Sequence, residues 1–301
     1  MRIGIFAGEV AGRGGVDELV AAARQAADDG FAAFWVPQIF GVDALTTLAV
    51  IGHQVPGIEL GTSVVPTYPR HPMMLAQQAL TTQAATGGRL TLGIGLSHQI
   101  VIESMYGMSF AHPLRHMREY LAILLPLIEE GSVSFAGETL TAHGAVSVPG
   151  AEPCPVLIAA LGPKMLELAG AVAGGTITWM TGPATVGSHT VPRIHEAAAA
   201  AGRPEPRIAV GLPMCVTDDV SAARERAAKV FEIYGSLPSY RAMLDREGAD
   251  GPADVAIIGD EDEVQAGLAK LAAAGATDLA AVEFGDEDDK ARTRALLRSL
   301  V

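Results

Sequence analysis

Three side chains in this sequence combine residue type and position in the way proton chemistry requires: His98, Glu9 and Gln38. Each lies just beyond a short apolar run that reads as a strand: Glu9 after residues 2 to 6, Gln38 after 33 to 36, His98 after 90 to 94. A histidine titrates near neutral pH, a carboxylate serves as acid or base, and a carboxamide both donates and accepts hydrogen bonds. Singly, each also has an ordinary structural explanation, the lone histidine above all. Their shared address singles them out, because the C-terminal ends of parallel strands collect on one rim, where ligands bind.

Other features fall at the same level of the chain. In Ala159-Ala160-Leu161-Gly162-Pro163-Lys164, small residues end a strand and a proline opens a helix. Free amides at such a helix start can bind an anion the size of a phosphate, and Lys164 could add charge. Ser63-Val64 offers a hydroxyl and a flat branched surface at a strand end. Gly95 and Ser97 lead into His98. Trp179 and Met180 could pack on a cofactor, with core packing as the competing reading. The loop Tyr68-Pro69-Arg70-His71-Pro72 reads as a polar-capped turn. No metal-ligand spacing, Walker-type loop or nucleophile elbow is present.

The elements that must position these residues repeat a strand-then-helix unit. Strands are expected at 2–6, 33–36, 58–65, 90–94, 155–159, 175–179, 207–215 and 278–283. Helices are expected at 16–27, 43–53, 73–85, 113–130, 163–173, 184–201, 218–231, 260–274 and from 287. Three stretches break the rhythm and read as insertions: 99–112, a hairpin at 132–148 turning at Ala136-Gly137, and 232–254 with irregular helix to 247 and a short apolar run at 254–258. About eight β/α steps in 301 residues favour one (β/α)8 TIM barrel with insertions, with a doubly wound open sheet as the alternative.

With 49% hydrophobic residues the chain can bury a large core, and the net charge of −13 argues against nucleic acid as a partner. No apolar run approaches the ~20 residues that span a bilayer, and the sequence opens on a strand, so a cytoplasmic protein acting on a small molecule is expected, with no membrane partner. Cys154 and Cys215 are the only cysteines and read as free thiols. The acidic runs 260–263 and 286–289 precede helical patterns and read as solvated helix starts.

Leu60-Gly61-Thr62-Ser63-Val64, Arg70-His71-Pro72, Gly87-Gly88-Arg89 and Leu92-Gly93-Ile94-Gly95, in this order and spacing, resemble the bacterial luciferase-like superfamily. Residues 1–9 and 159–178 extend the likeness over nearly the whole chain. It is most similar to the branch using the deazaflavin coenzyme F420, with the FMN-dependent monooxygenases as the alternative. The resemblance implies a luciferase-like TIM barrel carrying the deazaflavin at its C-terminal rim. It implies a non-prolyl cis peptide at Ser63-Val64 behind the ring, phosphate on the amides of Leu161-Gly162, Gly95 to His98 along the cofactor and Ala159-Ala160 as its floor. It also implies a homodimer. Where alcohol and sugar-phosphate dehydrogenases of that branch carry an Asp-His or similar pair, this chain has Gln38-Ile39, and His98 stands where some hold an acid. The expected activity is therefore hydride transfer to an activated C=C or C=N bond, with His98 or Glu9 handling the proton. A barrel that binds a flavin-like ligand without turnover is the non-enzyme alternative.

Overall fold

The computed structural model describes residues 1–7 and 14–301, so the candidate Glu9 lies outside the described residues. Twelve strands occur there: β1 (Arg2–Phe6), β2 (Ala33–Val36), β3 (Glu59–Thr62), β4 (Val65–Pro66), β5 (Leu90–Gly95), β6 (Ser132–Ala136), β7 (Thr141–Ala145), β8 (Val156–Ile158), β9 (Gly175–Trp179), β10 (Arg207–Val216), β11 (Ile257–Gly259) and β12 (Asp278–Glu283). Parallel pairing runs β1-β2-β3-β5-β8-β9-β10-β12, and β12 pairs again with β1, which closes an eight-stranded barrel. That closure excludes the open doubly wound sheet.

Alternation along each strand makes two cores. Ile3 and Ile5, Phe34 and Val36, and Leu90, Leu92 and Ile94 are buried outward against the helices. Ala33, Trp35, Leu157, Ile177, Ala209 and Ala280 fill the lumen. Burying a large aliphatic or aromatic side chain contributes ~1.5–3 kcal/mol, so the outer layer carries most of the stability.

The acidic runs are helix caps. The Asp260 carboxylate accepts from the Glu263 amide at 2.9 Å, and Asp286 does the same for Asp289 at 2.9 Å. The insertion at 132–148 is an antiparallel hairpin of β6 and β7. Glu119, on the helix Pro113–Glu129, ties it to the barrel by accepting from the amides of Glu138, Thr139 and Leu140, each at 2.9 Å.

Some boundaries differ from expectation. The hairpin turns over 137–140 rather than at Ala136-Gly137, because β6 continues to Ala136. The continuous strand expected over 58–65 is broken into β3 and β4. The helix expected over 184–201 starts at Pro183 and contains a π-helical segment, Val186–Thr190. The apolar run at 254–258 divides between a short helix, Pro252–Val255, and β11, which pairs in parallel beside the end of β10. The stretch 99–112 contains a π-helical turn, Val101–Met105. No helix among the described residues is long and apolar enough to cross a membrane.

Candidate active site

Inward residues form tiers from the bottom of the barrel to its mouth. At the N-terminal ends of the strands, Arg207 bonds Asp278 at 2.7 Å and Glu59 at 2.9 Å, and Thr91 donates to Glu59 at 2.7 Å. Arg2 reaches the same two carboxylates. This network closes one end. Above it lies Trp35, fully buried, in a space left by missing side chains: a Cβ on Gly61 would overlap its ring, and one on Gly4 would lie 3.1 Å from its Nε1. The lumen is thus filled to mid-height, and only the upper, C-terminal end is left to receive a ligand.

The mouth is shaped by an interruption of the third barrel strand. Gly61 pairs with Thr91 and Val65 with Ile94, so one more residue lies on the β3-β4 side than on the β5 side. This is a bulge, which re-aims the residues it carries. Thr62 fills the gap in the ladder: its hydroxyl donates to the Gly93 carbonyl at 2.7 Å and accepts from the Gly93 amide at 2.8 Å. The following peptide, Ser63-Val64, is cis, as the resemblance implied. The bulge turns Val64 inward over β5. A Cβ at Gly95 would lie 2.7 Å from Val64 Cγ2 and 3.1 Å from Ala159 Cβ, and one at Gly93 would overlap the Thr62 carbonyl. Only glycine fits at either position. Val64, Gly95 and Ala159 therefore make a smooth wall of small surfaces on one side of the mouth.

The same end of the barrel also carries a run of aromatic residues. Phe6 stacks on Trp179 at 5.5 Å between ring centres, and Trp179 meets Tyr234 edge-on at 5.8 Å. Tyr234 contacts Tyr240 at 5.1 Å, and Tyr240 meets the ring of His98 at 5.7 Å. His98 is half-buried, and burial lowers its pKa below the ordinary imidazole value of 6.5, so the ring is neutral at physiological pH. Its backbone carbonyl accepts from Val101 and Ile102 at 2.9 and 3.0 Å, which anchors the histidine to the start of the insertion. Ser97, just before it, takes a left-handed φ of 62°, one of three such non-glycine residues described.

Two further groups border this chamber. The helix Pro163–Val172 starts with Gly162 as N-cap and no side-chain cap, and nothing stands within 4 Å of a Cβ at Gly162. Its first amides face an open approach, and the Leu161 carbonyl is held from behind by His189 Nε2 at 2.8 Å. On the outer side of the bulge, Thr67 donates its amide to the Gly95 carbonyl at 2.9 Å, and its hydroxyl bonds His116 Nε2 at 3.0 Å. His116 stacks on Tyr68 at 3.9 Å, and burial pushes its pKa down to about 4, outweighing the opposing charge of Glu119.

The fold thus gathers Ser63, Val64, Gly95, Ser97, His98, Ala159, Leu161 and Gly162 at one end of the barrel, and corrects three of the expected roles. Gln38 spends its carbonyl oxygen on the Ala44 amide at 2.7 Å, so it secures the entry to the helix Ala44–Gln54 instead of offering that acceptor to a substrate. Met180 is fully buried in the outer core cluster, so its side chain is covered by protein; it lies just past the end of β9 with a left-handed φ of 52°. Ala160 is buried in the outer core, whereas the Ala159 methyl lies against Gly95. Phe6, Tyr234 and Tyr240 were not singled out by sequence reasoning. For Phe6 the signal existed, since alternation from Arg2 and Gly4 puts it on the inward face; the two tyrosines sit in an insertion without a periodic pattern.

A parallel barrel closed by ion pairs below and interrupted by an inward-turned bulge above is an enzyme-type scaffold, of the kind whose sites collect at the strand C-termini. The model of the luciferase-like monooxygenase family matches residues 1–284, and the chain belongs to that family. A Mycobacterium tuberculosis protein with the provisional name coenzyme F420-dependent oxidoreductase is 31% identical over 284 residues, covering 90% of this chain and 80% of its own. The 5,10-methylenetetrahydromethanopterin reductase of Methanolobus tindarius is 30% identical, covering 79% of this chain and 72% of its own. Among solved structures, the F420-dependent tetrahydromethanopterin reductase of Methanopyrus kandleri superposes with a TM-score of 0.83 at 23% identity, over 100% of this chain and 98% of its own. The FMN-bound oxygenating component of 3,6-diketocamphane monooxygenase from Pseudomonas putida gives 0.78 at 18%, over 99% and 96%. The two structures share the fold.

Proposed function

We propose that this protein is a coenzyme F420-dependent oxidoreductase that reduces an activated C=C or C=N bond of a small organic substrate. The observation that carries the reading is the wall made by the bulge, where Val64 lies against Gly93 and Gly95 beside Ala159. Its residues fit a flat ring system: any β-carbon at Gly95 would intrude on the plane that they leave. The uncapped start of the helix Pro163–Val172, with Lys164 in its first turn, fits a phosphate. The similarity to relatives named for F420 supports the deazaflavin over FMN.

When bound, a reduced deazaflavin supplies a hydride. The chain's own residues do the rest. Val64, Gly95 and Ala159 hold the ring's face, and the amides of Leu161 and Gly162 anchor its phosphate. Phe6 and Trp179 keep water from the same end of the barrel. Reduction of a C=C or C=N bond also needs one proton, and His98 is placed to hold or deliver it at a ring nitrogen, with Glu9 as the carboxylate after β1. The depressed pKa of His98 means that its protonated form dominates only at a pH below the ordinary imidazole value of 6.5.

The test is a side-by-side fluorescence titration of the purified protein with coenzyme F420 and FMN, followed by oxygen-uptake assays. Micromolar binding of F420, weak binding of FMN and no oxygen uptake support the reading. Preference for FMN with oxygen uptake overturns it in favour of a flavin monooxygenase. Cofactor binding without turnover of any substrate favours a ligand-binding barrel.

A further inference from the structure

Five rings form a continuous arc at the C-terminal end of the barrel, the same end as the small-residue wall. Phe6, Trp179, Tyr234, Tyr240 and His98 come from the ends of β1, β9 and β5 and from the insertion at 232–254, and all five are half-buried. Each ring touches the next, with centres 5.1 to 5.8 Å apart. Phe231, which also packs edge-on to Trp179 at 6.0 Å, is by contrast buried, with Phe284 behind it. Phe231 and Phe284 therefore form the backing, and the five half-buried rings form the presented surface.

The arc is also neutral. Burial lowers the pKa of His98 and raises those of Tyr234 and Tyr240, so none carries charge at neutral pH. Rings of this kind gain energy from π-faces and edges of a partner beyond the area they bury. Among the described residues, the five rings themselves offer no ionic partner to a phosphorylated substrate.

We propose that Trp179, Tyr234, Tyr240 and His98 form the substrate-recognition surface of the mouth and select a planar, uncharged, conjugated ring compound. The inference rests on the reading that the mouth is the reaction site, and it adds the substrate class. Tyr234 and Tyr240 are its specificity-determining residues, because they belong to an insertion and not to the barrel frame.

The two tryptophans make the surface observable. Trp179 lies in the arc, and Trp35 is buried in the lumen as a constant background. Tryptophan emission would be followed while titrating the protein with quinazolin-4-one, with a saturated bicyclic diol of similar size, and with glucose, each in the absence and presence of excess coenzyme F420. Saturable quenching by the heteroaromatic alone, retained with F420 present, is expected. Tyr240→Leu and Tyr234→Leu should weaken it at least tenfold, and Tyr240→Phe should bind within about twofold of the parent, with thermal melts confirming that each variant is folded. Equal response to the diol or glucose, unchanged affinity in both leucine variants, or displacement of the probe by F420 would overturn the proposal, the last by assigning the arc to the cofactor. Probe binding by a protein that binds no F420 would leave the surface standing and remove the proposed cofactor instead.

Discussion

The two ends of the barrel are built from the same strands and the same inward register, yet they are opposites. At the lower end, Arg207, Arg2, Glu59, Asp278 and Thr91 pair with one another, and the Asp278 side chain is only 4% exposed. At the upper end, the inward positions are glycine, alanine, valine and aromatic rings that leave surface uncovered. One end uses up its polar groups internally, whereas the other holds non-bonding faces open. The contrast sets a self-paired polar network at the bottom against the proposed site at the top, and it can be broken or sharpened by substitution.

The largest effect is expected from Arg207→Ala, which leaves two carboxylates facing each other with less compensation. Removing one partner of a buried pair costs about 3–5 kcal/mol, reduced here toward the lower figure by the partial exposure of Arg207. Urea unfolding should show it, and Arg207→Lys should recover part. A folded Arg207 variant should keep cofactor affinity, and a loss of affinity without a loss of stability would reverse the assignment of the two ends. Next in size is Gly95→Val, whose β-carbon would press on Val64 and Ala159. Cofactor binding should fall about 100-fold or more, while overpacking costs about 1–3 kcal/mol in the melt. Unchanged binding would place the cofactor elsewhere.

His98→Ala should lower turnover about tenfold to a hundredfold with cofactor affinity nearly unchanged, within the range of general acid catalysis. Burial lowers the His98 pKa, so the parent rate should rise as pH falls through and below 6.5. The variant should lose that acid limb; an unaltered turnover number would remove His98 from the role. The smallest effect belongs to Glu119, outside both ends. Burial alone would raise its pKa, but hydrogen bonds from Thr139, Glu138 and Leu140 prevail and hold it at about 2. Its contribution is present above the ordinary value of 4.5 and is lost as pH falls toward about 2. Glu119→Gln should lower the melting temperature at pH 7, flatten its dependence over that acid range and leave cofactor binding alone. A change in binding would show that the hairpin communicates with the mouth.

Much of this frame was legible without coordinates. The strand ends 95–98 and 159–162 could be placed on a common rim because parallel β/α units force all strand C-termini to one side. Gln38 shares that address, but its carbonyl is bound to Ala44, a local contact that residue type does not reveal. Met180 beside Trp179 illustrates a second difficulty: the sequence names both, but only packing shows that Met180 is fully buried while Trp179 stays partly exposed. The break at Ser63-Val64 followed from resemblance and not from periodicity, since the apolar run 58–65 reads as continuous.

The sequence by itself determined the order of elements, their approximate ends and the acidic helix starts at 260–263 and 286–289, because these depend on periodicity and on residues a few positions apart. Tertiary structure alone decided that the sheet closes through β12 on β1, that Arg207 meets Glu59 from far along the chain, and that Tyr240 reaches His98. Those contacts join segments whose spacing in the chain carries no periodic signal. They exist only because closure of the barrel and the packing of an irregular insertion bring them within van der Waals and hydrogen-bonding range.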